Sequence, residues 1–137
     1  MLHYSSLWGL WKNQVDFEGM AVTTVQQLSE DGTFETRMTY HFENGCQQTV
    51  VHRGQYQVAD GQLYLSFVAG KTAMTGCPDA QQNFSERPFN AAEMAEAQAL
   101  LSQAIPYKMS ANRLVTTIRT GDETLQIAYD RISDSGL

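Results

Sequence analysis

The chain has 137 residues, 42% of them hydrophobic and 18% charged, a composition typical of a globular protein that folds as a single domain over residues 1–137. Its formal charge is −6, with no cluster of Lys and Arg, so binding to nucleic acid or to an anionic membrane surface is not expected. No apolar run reaches the roughly 18 residues that span a bilayer. The N-terminus, Met1–Ser6, lacks the basic and apolar regions of a signal peptide. We expect a cytoplasmic protein if Met1 is the native start, and a periplasmic or envelope protein if a leader was removed.

Three strands are predicted in the first third of the chain. Leu10–Phe17 is the first and begins within a Gly9-x-Trp11 pair, Met20–Leu28 is rich in Val and Thr, and Thr33–Phe42 alternates between apolar and polar residues. The third strand is predicted to be solvated on one side only. Its apolar face carries Phe34, Thr36, Met38, Tyr40 and Phe42.

Turn residues divide the remaining strands. Asn44-Gly45 favours a two-residue type I′ hairpin, which would place Met38 opposite Val51 and Arg37 opposite His52. Further strands are predicted around Gln55–Val58, over Leu63–Phe67, and in the C-terminal part of the chain. The C-terminal strands are Tyr107–Met109, Arg113–Arg119 and Thr124–Ile132.

One helix interrupts the strands, at about Ala91–Gln103. Asn90 and Glu93 have the spacing of a capping box, and Pro106 follows the last turn. The polar segment between Val68 and Phe89 is long for a connection in a compact domain. We interpret its part Ala69–Pro88 as a loop that could serve as a lid. The fold class is therefore mainly β: one antiparallel barrel, or a strongly curved sheet, of about eight or nine strands with one helix.

The Gly9-Leu10-Trp11 segment, the hairpin meander and the late Arg131 resemble the lipocalin-like, or calycin, barrels. The resemblance implies that Trp11 and Arg131 have a structural role, with the indole stacked on the guanidinium at the closed end of the barrel.

The stretch Gly45–Ile132 resembles a second family, the META domains of bacterial envelope and heat-inducible proteins. The resemblance is carried by an ordered series of segments: Gly45-Cys46, Gly54-Gln55-Tyr56, Asp60-Gly61-Gln62-Leu63, Thr72-Ala73-Met74 leading to Cys77-Pro78, an acidic helix, and Arg113-Leu114 followed by Gly121. Gln47 and Gly76 depart from the family pattern. The resemblance implies a small barrel-like fold with a side helix and says little about function.

No catalytic, metal or cofactor site is predicted. In the predicted register His41 and His52 share a strand face about 13 Å apart, too far for a common zinc ion, and His3 lies near the terminus; all three are interpreted as surface residues. Cys46 and Cys77 lie beside turns and either form a disulfide or remain two thiols, and the sequence leaves both alternatives open. Paired carboxylates lie in turns, where solvation explains them. An enzyme is the least favoured class.

The aromatic and methionine residues of the strands are either a plain core or the wall of a cavity. The leading hypothesis is a lipocalin-like protein that holds a small, mostly apolar ligand inside the barrel without catalysis. The alternative is a META-like envelope-stress or protein-interaction module with a filled core. A cavity of about 300 Å³ or more would favour the ligand, and the sequence does not indicate an oligomeric state. The predicted wall residues are Phe34, Met38, Tyr40, Phe42, Tyr56, Leu65 and Phe67.

Overall fold

Within residues 7–133, which a computed structural model describes, the chain forms nine β-strands and one α-helix. The helix α1 covers Ala91–Leu101, and a short 3-10 helix covers Ala80–Gln82. The strands are β1 Gly9–Phe17, β2 Met20–Leu28, β3 Thr33–Phe42, β4 Gln47–Ala59, β5 Gln62–Thr75, β6 Phe84–Pro88, β7 Ala104–Met109, β8 Arg113–Thr120 and β9 Glu123–Ser133.

Eight of these strands close into an antiparallel barrel. Hairpins join β1 to β5 in sequence order, β7 pairs with the first part of β5, and β9 returns to pair with β1. β6 lies outside the barrel and pairs with the second part of β5. Of the two predicted architectures, the closed barrel with one helix is therefore confirmed. Closure pairs every barrel strand on both sides, which removes the exposed edges of an open sheet.

The long strands β4 and β5 bend together where the register shifts between Arg53 and Gly54. A Cβ atom at Gly54 would collide with the Ser66 carbonyl oxygen and would lie 2.8 Å from Cε1 of Phe34. Only glycine allows this close approach of the two backbones, so Gly54 permits the bend.

The β3–β4 turn differs from the predicted two-residue hairpin. The Phe42 amide donates to the Cys46 carbonyl (2.9 Å) and the Gly45 amide to the Phe42 carbonyl (3.1 Å). The loop thus has three residues, Glu43 to Gly45, with Gly45 in the left-handed region at φ 97°, as in a type I turn followed by a G1 bulge. The predicted register was wrong by one residue, because His41 pairs with Gln47 and Met38 with Val50. A one-residue shift reverses which side chains of β4 face the interior.

The closed end of the barrel is packed around Trp11. The Trp11 side chain is fully buried, and its Nε1 donates to the Leu7 carbonyl at 3.0 Å. The Arg131 guanidinium carbon lies 4.1 Å from the indole centroid, the contact that the lipocalin-like resemblance implies. Arg131 also donates from Nη1 to the Trp8 carbonyl (2.6 Å) and from Nε to the Ala111 carbonyl (2.8 Å). The buried core continues from Trp11 through Leu7, Leu28, Phe34, Tyr56, Val58, Leu63, Ile105, Leu114 and Tyr129.

The segment after Val68 is not the long loop that the sequence predicts. β5 continues to Thr75, and β6 pairs back onto it from Phe84 to Pro88, so the interpretation of Ala69–Pro88 as a lid was wrong. The turn between them is tied down by a disulfide between Cys46 and Cys77. The Asn83 side chain also accepts from the Cys77 amide at 2.9 Å. The polar composition of this segment led to the prediction of a loop. A strand whose outer face is solvated, such as this part of β5, needs few apolar residues.

The helix α1 begins as predicted and ends two residues early. The Asn90 side chain accepts from the Glu93 amide, and the Glu93 carboxylate accepts from the Asn90 amide, both at 2.9 Å. Arg87 at the end of β6 pairs with the same carboxylate at 2.7 Å. This contact fixes the N-terminal end of the helix to the strand outside the barrel, and the rest of α1 crosses one end of the barrel.

We predict that the double substitution Cys46→Ser and Cys77→Ser lowers the free energy of unfolding by about 3 kcal/mol. The bridge joins residues 31 positions apart. Closing a loop of this length lowers the conformational entropy of the unfolded chain, which stabilises the folded protein by about 3 kcal/mol. Urea denaturation at neutral pH measures the loss. Reductant should lower the stability of the native protein to that of the variant and leave the variant unchanged; an equal response of both proteins would contradict the prediction.

We predict that Arg131→Met destabilises the protein by about 2 kcal/mol, because it removes both the cation–π contact and charge-assisted bonds to two carbonyls. The matched control is Arg37→Met, since Arg37 is exposed on β3 and a surface change of this kind stays within about 0.5 kcal/mol. Urea midpoints of the two variants give the comparison. Equal midpoints would show that the guanidinium contributes nothing to closure.

Candidate functional site

A cavity of about 200 Å³ lies inside the barrel, between the core around Trp11 and the helix α1. Its walls come from seven barrel strands and from the C-terminal part of α1, and no Asp, Glu, Lys or Arg of the described residues lines it. Its lining residues are Thr24, Gln26, Thr36, Met38, His52, Leu63, Leu65, Leu100, Leu101, Ile105, Thr116, Ile118, Thr120, Leu125, Ile127 and Tyr129. A mostly apolar concavity with a few polar groups is the usual form of a small-molecule site.

Two polar residues of β2 line the cavity, Gln26 at its deep end next to the packed core and Thr24 further out. Gln26 is 5% exposed and lies in register between Trp11 on β1 and Thr36 on β3. Thr24, one inward position further from Trp11, is 7% exposed. The Gln26 side chain forms no hydrogen bond to another described residue, and its amide is not among the described polar atoms that are sealed off without a partner. The amide is therefore open to the cavity and offers it a donor and an acceptor.

Tyr129 and Thr116 lie on the opposite wall. Burial raises the pKa of the Tyr129 phenol to about 12, and the neighbouring Thr116 hydroxyl opposes this increase. The phenol is therefore un-ionised at neutral pH and acts as a hydrogen-bonding group, not as a base. This wall, like the other, carries no charge near pH 7.

His52 and Met38 separate the cavity from a second space under the helix. This groove, of about 290 Å³, is lined by residues of β3, β4, β5 and α1, and it shares Met38, His52 and Leu100 with the cavity. The His52 ring packs edge-on against Phe67 at 5.8 Å and against Phe89 at 5.5 Å, measured between ring centroids. Burial among these rings lowers the pKa of His52. An unbranched side chain such as that of Met38 changes rotamer readily, so the partition between the two spaces is adaptable.

Apolar side chains flank the opening of the cavity. Leu100 on α1 is 39% exposed and Leu125 on β9 is 45% exposed, although both line the cavity. Exposed leucines at an opening give an apolar ligand a continuous path from solvent to the interior.

The predicted wall residues are distributed over three regions. Met38 and Leu65 line the cavity, and Phe34 and Tyr56 belong to the packed core below it. Tyr40 lines the groove under the helix. The remaining two are aromatic neighbours of that groove: Phe42 stacks on Tyr40 at 6.4 Å and Phe67 on Phe89 at 6.2 Å.

Sequence reasoning missed the polar members of the site. Gln26 and Thr24 share the inward face of β2 with Val22 and Leu28. This spacing was the one sequence signal for a polar site in the interior, because Gln is unusual at an inward position. His52 was wrongly interpreted as a surface residue, because the register error placed it on the outer face. His41 is exposed as predicted, and His3 lies outside the described residues.

The structure also bears on the remaining candidates for chemistry. Cys77 has no thiol to act as a nucleophile, because it is bonded to Cys46. Within residues 7–133, no three His, Cys, Asp or Glu side chains come together in a way that could hold a metal ion.

A larger groove of about 470 Å³ lies on the outside of the barrel, near Gln27, Glu35 and Arg53. It is more open to solvent than the interior cavity, and its lining is more polar. The interior cavity is therefore the better candidate for a ligand site.

No protein-family model matches the chain, and no curated protein is significantly similar to it in sequence. The closed eight-strand barrel is consistent with a lipocalin-like fold, but no family match supports the resemblance to META domains. In the part of the chain that the structure describes, no helix has both the length and the apolar character needed to cross a bilayer.

We predict that the native protein loses stability relative to His52→Phe as the pH falls below about 6.5. Burial lowers the folded-state pKa of His52 below the ordinary value of 6.5, so the unfolded chain binds a proton first and unfolding is favoured as the pH drops. Urea denaturation of both proteins at pH 7.5 and pH 5.5 measures the difference, because the carboxylates common to both cancel. His41→Phe is the control, and its loss of stability between pH 7.5 and pH 5.5 should equal that of the native protein. An equal loss in His52→Phe would contradict the prediction.

Proposed function

We propose that the protein is a lipocalin-like binding protein that holds a small, mostly apolar molecule in the barrel without transforming it. The observation that carries the proposal is the apolar cavity of about 200 Å³ between the Trp11 core and α1. Its volume does not reach the roughly 300 Å³ or more at which the sequence analysis favours a ligand, so the proposal is restricted to a small molecule. Since an apolar cavity of about 150 Å³ holds benzene, the ligand is of the size of a substituted benzene ring or a short alkyl chain.

The shape of the interior supports this function over the alternative of a META-like interaction module with a filled core. The side chains around Trp11 are closely packed, whereas the cavity begins at the level of Thr36 and Met38. In the proposed role Trp11 and Arg131 hold the closed end, and α1 covers the other end as a lid. Phe34 and Tyr56 support the cavity from below, the ligand enters between Leu100 and Leu125, and Tyr40, Phe42 and Phe67 border the neighbouring groove under the helix.

The chemistry of the walls supports binding over catalysis. Within residues 7–133 no charged side chain lines the cavity, and burial keeps the Tyr129 phenol and the His52 imidazole in their neutral forms near pH 7. A general acid or base works best with a pKa near the working pH and a reacting group within reach. The pKa of Tyr129 is far from that range.

We predict that cumene (isopropylbenzene) binds the native protein with a Kd of about 0.5 mM, which corresponds to about 0.5 kcal/mol for each of its roughly nine non-hydrogen atoms. Thr36→Phe should abolish binding, because the new ring occupies the cavity. Thr39→Phe places the same ring on the outer face of β3 and should leave binding unchanged. Methyl NMR spectra recorded during a cumene titration give all three affinities.

Two results would reject the proposed function. One is the absence of cumene binding to the native protein at saturation in water. The other is equal binding to Thr36→Phe and Thr39→Phe, which would place the cumene outside the barrel. A circular dichroism melt of each variant verifies that both are folded.

A further inference from the structure

We infer that Gln26 recognises an uncharged carboxamide or lactam group, so that the ligand lies with this group at the deep end of the cavity and its apolar part toward the helix. The inference rests on the proposed function and adds the chemical class and the orientation of the ligand.

The first support is the isolation of the Gln26 amide. The residue is 95% buried, as its 5% exposure shows, and its side chain forms no hydrogen bond to another described residue. The amide is not among the described polar atoms that are sealed off without a partner, so it is open to the cavity that it lines, and only water or a ligand there can satisfy it. A primary amide both donates and accepts hydrogen bonds. Another amide can pair with it through two parallel hydrogen bonds, one in each direction.

The second support is the position of Gln26 relative to the packed core. Its partner on β1 is Trp11 and its partner on β3 is Thr36, so the residue marks the level at which the core ends and the cavity begins. A ligand group bound here is as far as the cavity allows from the opening at Leu100 and Leu125. The remaining length of the cavity is walled mainly by Leu and Ile, which suits an apolar ring or chain.

The third support is the charge of the site, which selects an amide over a carboxylate. Among the residues that the structure describes, no Lys or Arg lines the cavity. The nearby Arg131 points its nitrogens at the Trp8 and Ala111 carbonyls and its flat face at Trp11. A carboxylate at this depth would be a buried charge without a cation, which proteins avoid.

The test uses three probes with the same skeleton of non-hydrogen atoms: cumene, benzamide and benzoate. We expect the native protein to bind cumene and benzamide and not benzoate. In Gln26→Met, a variant of nearly the same side-chain shape, the Kd for benzamide should rise about tenfold while that for cumene stays equal or falls. Gln57→Met changes an exposed glutamine of β4 and should alter neither Kd. Methyl NMR titrations provide the values.

Two further measurements separate recognition from a structural role of Gln26. Without ligand, the melting temperature of Gln26→Met should equal or exceed that of the native protein, because the variant loses no hydrogen bond to another described residue; an amide that held the fold together would give a fall. In the native protein, the Gln26 side-chain NH₂ resonances should shift on addition of benzamide and not of cumene. This readout needs no variant.

The outcomes distinguish this inference from the proposed function. If cumene does not bind the native protein, both fail. If cumene binds but Gln26→Met leaves the benzamide Kd unchanged, or the Gln26 NH₂ resonances do not respond to benzamide, the ligand site stands and the recognition of an amide is rejected. Binding of benzoate as tight as that of benzamide would equally reject the selection for an uncharged group.

Discussion

Closure of the barrel depends on the contact between Trp11 and Arg131, because the backbone pairing that accompanies it is short. The described ladder between β1 and β9 consists of three register pairs, with a shift between Leu10 and Trp11. Arg131 compensates by bonding to two carbonyls from different parts of the chain while its flat face covers the indole. Further along β1, the Asn13 side chain donates to the Ala128 carbonyl at 2.8 Å. Side-chain contacts therefore add to the three described backbone pairs at this seam.

This seam explains why the barrel is packed at one end and open at the other. Around Trp11 the strands are tied by backbone pairs, by Arg131 and by a continuous core. Toward the other end, inward-facing residues of the same two strands are partly exposed: Val15 of β1 and Leu125 of β9 are each 45% exposed. α1 covers that end and is fixed at one of its ends by the Arg87–Glu93 pair. The cavity lies between the packed core around Trp11 and the helix α1.

The sequence predicts much of the framework, because alternation and turn residues are local properties. The bounds of β2 and β3 agree residue for residue with the alternating segments Met20–Leu28 and Thr33–Phe42, and the capping box at Asn90 is present as expected. The β3–β4 turn shows the limit of local reasoning, because Asn-Gly suits both a two-residue loop and the last two positions of a three-residue loop. That difference of one residue decides whether His52 faces solvent or the cavity. The extension of β5 beyond Val68 was missed for a related reason, since its pairing partners are distant in sequence and its composition is polar.

The interior polar residues could not be assigned a role from sequence, because their importance comes from what surrounds them. Gln26 in an alternating strand has no special meaning until the register shows it beside Trp11, facing a cavity that contains no charged group. A cavity of about 200 Å³ leaves its lining side chains without packing partners on one side, and the Gln26 amide that faces it has no hydrogen-bond partner among the described residues. These two costs occur at the same level of the barrel, next to its best-packed region. A single ligand with an apolar body and one amide group would offset both, which is why cavity and amide are better understood as one site than as two separate defects of packing.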